Sequence, residues 1–160
     1  MITLQVKSKA NIVSESEINI KASGFNNSEE GKIQSVGGIS IDVNTGTINN
    51  DKGLIRTGGN LTLTAKEVNN TNTFAEPTKD NNGVEIPNNK GIEGKNITIT
   101  TTNLDNTTGS LLSSESTVIV ANGEVKNNGK GVISSGGSIT IKDPNAIEDT
   151  EQTAKDNTDT

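Results

Sequence analysis

The sequence predicts an all-β fold: a right-handed parallel β-helix, a solenoid of about six coils of 20–22 residues with three short strands per coil. Three series of apolar residues predict it. The first is a pair of aliphatic residues spaced by two, seen at Ile18/Ile20, Ile39/Ile41, Leu61/Leu63, Ile97/Ile99, Val118/Val120 and Ile139/Ile141, whose first members advance by 21, 22, 36, 21 and 21 residues. The second precedes each pair: Ile12, Ile33, Ile55, Ile92, Leu112 and Ile133, in steps of 21, 22, 37, 20 and 21. The third follows it: Phe25, Ile48, Val68, Leu104 and Val125, in steps of 23, 20, 36 and 21. All three share one period and one long step, so the long step is a single period plus an insertion.

A fixed period in the twenties marks a stack of identical supersecondary units. Period-2 alternation inside each unit selects strands over helices. The reference unit is Gly53–Asn70, in which Leu61 and Leu63 alternate with Thr62 and Thr64, giving one aliphatic and one hydroxyl-bearing face. Gly58-Gly59 before this strand and Asn69-Asn70 after it are turn residues, read as corners that accept a positive φ. Successive coils then pair through parallel ladders about 4.8 Å apart, right-handed by the rule for parallel crossovers. One internal column is expected to hold Ile20, Ile41, Leu63, Ile99, Val120 and Ile141, and one corner column Asn27, Asn50, Asn70, Asn106 and Asn128. Amides stacked at that corner can hydrogen-bond along the axis and satisfy the turn backbone.

Composition fits a narrow prism. Only 28% of the 160 residues are hydrophobic and 1% aromatic, which in a globule would approach the disordered class. A β-helix needs only a few aliphatics per coil, each contributing about 1.5–3 kcal/mol when fully buried. Backbone ordering at about 1–2 kcal/mol per residue offsets most of that gain. Stability must accumulate from coil-on-coil pairing, and a single coil should not fold. There is no cysteine or histidine, so no disulfide framework, thiolate metal site or imidazole base is expected. Net charge is −6 with both signs dispersed, which argues against nucleic acid or an anionic membrane as partner. No apolar run is long enough to span a bilayer as a helix.

In chain order, residues 1–142 form the repeat segment. Ile2, Leu4 and Val6 make an incomplete first coil that begins directly after Met1, read as a start placed within a longer protein. Units follow at Ile12–Asn27, Gly31–Asn50 and Gly53–Asn70. The insertion, 71–89, contains Pro77, Pro87 and the turn signal Asn81-Asn82-Gly83, and is expected to form an extra-helical loop or hairpin. Units resume at Gly91–Asn106, where the corner EGKN is one residue shorter than RTGGN, then at Gly109–Asn128 and Gly131–Lys142. Residues 143–160 are acidic and lose the period, and are expected to be a flexible tail.

The stretch Asn49 to Ala65, echoed at Asn127 to Ile141, resembles the haemagglutinin repeats of filamentous haemagglutinin and of contact-dependent inhibition (CdiA-type) exoproteins. The resemblance covers Ile12 to Lys142. It implies a large, secreted, surface-displayed protein of a Gram-negative bacterium, exported through an outer-membrane two-partner secretion transporter. The segment would then be stalk, carrying neither the family's secretion domain nor a toxin domain.

Candidate chemistry is sparse. Paired carboxylates on one outer face, as in β-helical polysaccharide enzymes, would require acids at equivalent positions of neighbouring coils. The outward rows read Asn19, Ser40, Thr62, Thr98, Ile119, Thr140 and Lys21, Asp42, Thr64, Thr100, Ala121, Lys142, with Asp42 the one acid, so scattered solubilising charge is the preferred reading. No calcium-binding nonapeptide occurs, and Asp80-Asn81-Asn82 reads as a plain turn. The threonine row could meet a glycan, although β-propensity on a solvated face explains it as well. Binding residues concentrate on loops carried by rigid scaffolds, so any partner contact is expected at Phe74, Pro77, Ile86 and Pro87. No catalytic, metal or cofactor residue is expected. The expected role is a structural stalk, with a cell-surface receptor or glycan-binding module acting through the insertion or the threonine face as the alternative. Unpaired terminal coils would also favour end-to-end self-association.

Overall fold

A computed structural model describes residues 2–146. Within it the chain forms a right-handed parallel β-helix of six turns, with no helix. The strands run β1 (Thr3–Gln5), β2 (Asn11–Ser14), β3 (Glu17–Lys21), β4 (Gly24–Asn26), β5 (Lys32–Ser35), β6 (Gly38–Asp42), β7 (Thr47–Asn49), β8 (Leu54–Thr57), β9 (Asn60–Thr64) and β10 (Glu67–Asn69). A two-stranded insert follows, β11 (Thr78–Lys79) and β12 (Glu85–Ile86). The helix resumes with β13 (Gly91–Thr101), β14 (Asn103–Asp105), β15 (Ser110–Ala121), β16 (Val125–Lys126), β17 (Val132–Ser135) and β18 (Ser138–Lys142).

Each coil contributes one strand to each of three faces. The two- and three-residue strands β1, β4, β7, β10, β14 and β16 form one six-stranded sheet, parallel throughout. The four- and five-residue strands form the other two faces, which merge where β13 and β15 run through the corner without a break. Alternation points every second side chain inward, so the registers stack like on like. One column is Leu4, Phe25, Ile48, Val68, Leu104 and Val125. A second is Ile12, Ile33, Ile55, Ile92, Leu111 and Ile133. A third is Ile18, Ile39, Leu61, Ile97, Thr117 and Ile139, and a fourth Ile20, Ile41, Leu63, Ile99, Ile119 and Ile141. In the middle coils these side chains are fully buried; in the last coil Ile139 and Ile141 are 44% and 50% exposed.

The fifth coil departs from the expected phase. Ile119, not Val120, continues the column of Ile41, Leu63 and Ile99, and Leu111, not Leu112, continues that of Ile55 and Ile92. Val118–Ile119–Val120 and Leu111–Leu112 are aliphatic at consecutive positions, so alternation permits either phase, and a one-residue slip exchanges the two faces. The adopted phase brings Thr117 and Ser113 inside, where Thr117 Oγ1 donates to Ser113 Oγ at 2.8 Å, so neither inward hydroxyl is stranded. The register shift between Gly94 and Asn96 absorbs the short corner of the fourth coil. As a result the outward row is Asn19, Ser40, Thr62, Thr98, Val118 and Thr140, interrupted by Val118 rather than Ile119, and its neighbour holds Val120 rather than Ala121.

The corners also differ from expectation in their cause. Neither Gly58, Gly59, Asn69 nor Asn70 has a positive φ. The left-handed residues lie two places beyond the inward asparagine: Lys52, Asn72 and Thr108, at φ 61°, 56° and 51°. At the Gly-Gly corner the requirement is space: a Cβ on Gly59 would sit 2.3 Å from the Gly37 carbonyl oxygen of the coil below. The acidic stretch 143–160 lies outside the described residues from position 147 onward. Its first residues turn the corner after β18, with the Ala146 amide donating to the Asp143 carbonyl (3.1 Å) as Gly46 does to Val43 (2.8 Å).

Candidate functional site: the polar corner and the insertion it carries

The short-strand face ends in a polar corner that places one amide inside the prism in each of five successive coils. Asn27, Asn50, Asn70 and Asn106 are each 0% exposed. They form a directional chain: Asn27 Nδ2 donates to Asn50 Oδ1 (2.8 Å), Asn50 to Asn70 (2.9 Å), Asn70 to Asn106 (2.7 Å), and Asn106 to Asn127 (2.8 Å). Each second amide hydrogen goes to a carbonyl of the next turn, as from Asn27 to Leu54 (2.9 Å) and from Asn70 to Ser110 (2.9 Å). The chain continues through Asn127, not Asn128. The fifth coil reads Val-Lys-Asn-Asn, and the ladder takes the residue two places after the inward apolar one, as Asn106 follows Leu104. At the other end Val6 occupies the equivalent position, which leaves Asn27 Oδ1 buried with no donor.

A second internal polar column lies at the Gly-Gly corner and was missed in the sequence. Ser35 Oγ lies 2.9 Å from Thr57 Oγ1 and also donates to the Gly38 carbonyl (2.7 Å). The signal was present: Ser14, Ser35, Thr57 and Ser135 each end the strand before the corner, and Ser113 holds the equivalent register position within the unbroken β15.

The insertion leaves the helix later than residue 71. Asn72 and Thr73 still donate their amides to Thr107 and Thr108 of the next coil, at 3.2 and 2.9 Å. Thr73 is fully buried, and its hydroxyl accepts from the Ser110 amide at 2.8 Å. In neighbouring turns that amide bond goes to a main-chain carbonyl, from Gly91 to Gly53 and from Val132 to Gly109. Thr73 Oγ1 thus replaces the carbonyl removed by the departing chain. The extra segment is 74–90, and β11 and β12 pair antiparallel within it, Thr78 opposite Ile86 and Lys79 opposite Glu85. Its turn is closed by Asp80 Oδ1, which accepts from the amides of Asn82 (2.8 Å) and Val84 (2.9 Å), with Gly83 at φ 80°.

Three contacts pin this hairpin to the rod. Asn88 Nδ2 donates to the Thr73 carbonyl (2.9 Å), joining the two ends of the insertion. Arg56, the chain's single arginine, grips Glu93 of the next coil through Nε (2.6 Å) and Nη2 (3.2 Å), and donates from Nη2 to the Asn88 carbonyl (2.8 Å). Both side chains are about two-thirds shielded, at 30% and 25% exposure, and the fork geometry makes this the strongest ion pair by type. Glu76 Oε1 meets Lys130 Nζ at 3.0 Å, reaching across to the corner after the fifth coil. The insertion therefore touches several successive turns at fixed points.

Of the residues singled out for a partner, Pro77, Ile86 and Pro87 come together along one groove of about 340 Å³, lined also by Lys32 and Lys90. Phe74 stays apart from that groove, half-buried against the rod with its amide donating to the Thr108 carbonyl (2.9 Å). Asp42 is the one acid in its outward row and accepts the Asn44 amide at 2.9 Å. Among the described residues no group of three acids, histidines or cysteines converges as a metal site. Among the described residues no helix is long and apolar enough to cross a membrane.

Compared with known proteins, the chain matches no family model, no curated protein and no solved structure. The fold defines its class: a β-solenoid repeat protein of six turns, compatible with a stalk.

Proposed function

We propose that this segment is a rigid spacer within a large, secreted, surface-displayed bacterial adhesin or contact-dependent toxin-delivery protein. The observation that carries the reading is the unbroken pairing of every coil with the next on all three faces, with no hinge between the first and sixth turns. Each turn adds about 4.8 Å along the axis, so six coils extend roughly 29 Å. Such a rod has no task that needs a moving part: it separates what is attached at its two ends. The resemblance of Asn49–Ala65 to haemagglutinin repeats supports placing it in exoproteins exported through an outer-membrane two-partner secretion transporter.

The test is length. Residues 11–142 joined in tandem should give a particle whose maximum dimension, by small-angle X-ray scattering, grows by about 5 Å per added coil. Displayed between a membrane anchor and a distal epitope, the tandem should raise the epitope by the same increment. A tandem that scatters as two bodies joined by a hinge contradicts the spacer reading. Removing 74–90 should leave rod length unchanged, because the extra hairpin adds no coil.

A further inference from the structure

We infer that the groove between the hairpin and the rod is a docking site for an extended acidic peptide segment with apolar side chains. The inference does not need the spacer reading. The hairpin is held by the Arg56 and Asn88 bonds at its base and by the Glu76–Lys130 pair, so the groove exists before any partner arrives. A preformed groove avoids the ordering cost that a loose loop would impose on binding.

The charge in the groove is uneven. Two of its three acids are paired, Glu30 with Lys9 at 3.8 Å and Glu76 with Lys130 at 3.0 Å, while Glu85 stands across the hairpin register from Lys79 without an ion pair. Lys32 and Lys90 form no ion pair among the described residues, and both are half-buried. They lie beside Pro77, Ile86 and Pro87, which present exposed apolar surface. Two unmatched cations beside an apolar strip complement a chain carrying carboxylates and aliphatics together. Nothing aromatic lines the groove to stack a sugar ring, which favours peptide over polysaccharide. An extended peptide also suits a site bounded by strands, since main-chain bonding to a strand edge adds affinity to any sequence that fits.

The probe is a fluorescein-labelled eight-residue peptide, Glu-Ile-Thr-Glu-Val-Thr-Glu-Ile, titrated against the whole chain by fluorescence anisotropy. A control replaces each Glu by Gln, and polygalacturonate is titrated as a competing anion. The expected result is saturable binding of the acidic peptide, about tenfold weaker for the Gln control and for K32E/K90E, and weakening as salt rises. Far-ultraviolet dichroism and the unfolding midpoint of K32E/K90E should match the parent. The site is refuted if the Gln peptide binds equally well, if K32E/K90E leaves binding unchanged, if no saturable binding occurs, or if polygalacturonate binds while the peptide does not.

Discussion

Replacing Asn70 by Asp changes one nitrogen to oxygen at the centre of the rod and should be among the most destabilising isosteric changes available. Asn70 Nδ2 donates to Asn106 Oδ1 at 2.7 Å and to the Ser110 carbonyl at 2.9 Å, in a fully buried site. An ionised carboxyl keeps the role of acceptor from Asn50 Nδ2 (2.9 Å) but supplies no hydrogen to either acceptor. Two buried acceptors left without donors cost about 1–3 kcal/mol each, so the loss is about 2–6 kcal/mol before any charge burial. Burial disfavours the charged form, so the introduced carboxyl titrates above its unfolded value of about 3.9. Between the two values the folded state binds more protons than the unfolded, so stability falls as pH rises. Protonated, the group regains one O–H donor. Urea unfolding followed by dichroism should show Asn70→Asp about 4 kcal/mol less stable than the parent at pH 7, and less impaired at pH 4 by 1 kcal/mol or more. A loss under 1 kcal/mol at pH 7, or one that does not change with pH, refutes the hydrogen-bonded ladder.

Thr73→Val keeps the shape but strands the Ser110 amide, and should cost about 1–3 kcal/mol in urea unfolding. Val6→Asn supplies the donor that Asn27 Oδ1 lacks, offsetting the lost apolar burial to within about 1 kcal/mol, whereas Val43→Asn, equally buried, should cost about 3 kcal/mol. Gly59→Ala places a Cβ 2.3 Å from the Gly37 carbonyl and should lower the thermal midpoint steeply, while Gly83→Ala at φ 80° costs only about 1–2 kcal/mol. Ile119→Asp should abolish cooperative unfolding, and Val120→Asp on the outer face should change stability by less than about 1 kcal/mol.

The period of the apolar series carried most of the fold, because a prism one side chain wide can be filled only by aliphatics that recur once per turn. Where the repeat alternated cleanly, as at Leu61 and Leu63 between threonines, facing followed directly. It failed at Val118–Ile119–Val120, where both faces are aliphatic and the choice rests on inward hydroxyls satisfying each other. The last ladder amide, Asn127 rather than Asn128, was legible without that ambiguity: Val125 belongs to the inward series, and Asn127 stands two places after it as Asn106 stands after Leu104. Pro77, Ile86 and Pro87 were recognisable as a unit by their place in the insertion. Arg56 was not, because its partners Glu93 and Asn88 are brought near only by coil stacking. Thr73 was hidden for a related reason: its hydroxyl replaces a backbone carbonyl, and no local pattern signals that exchange.

The most direct test of like-on-like stacking uses the chain's lack of cysteine. Thr98 and Val118 are register partners on adjacent parallel strands of an outer face, at the separation of about 4.4–6.8 Å that a disulfide spans. Thr98→Cys with Val118→Cys should oxidise to a single intramolecular disulfide in the folded protein, and Thr98→Cys with Ile119→Cys should not. Efficient cross-linking of the second pair and not the first would contradict the internal column of Ile41, Leu63, Ile99 and Ile119.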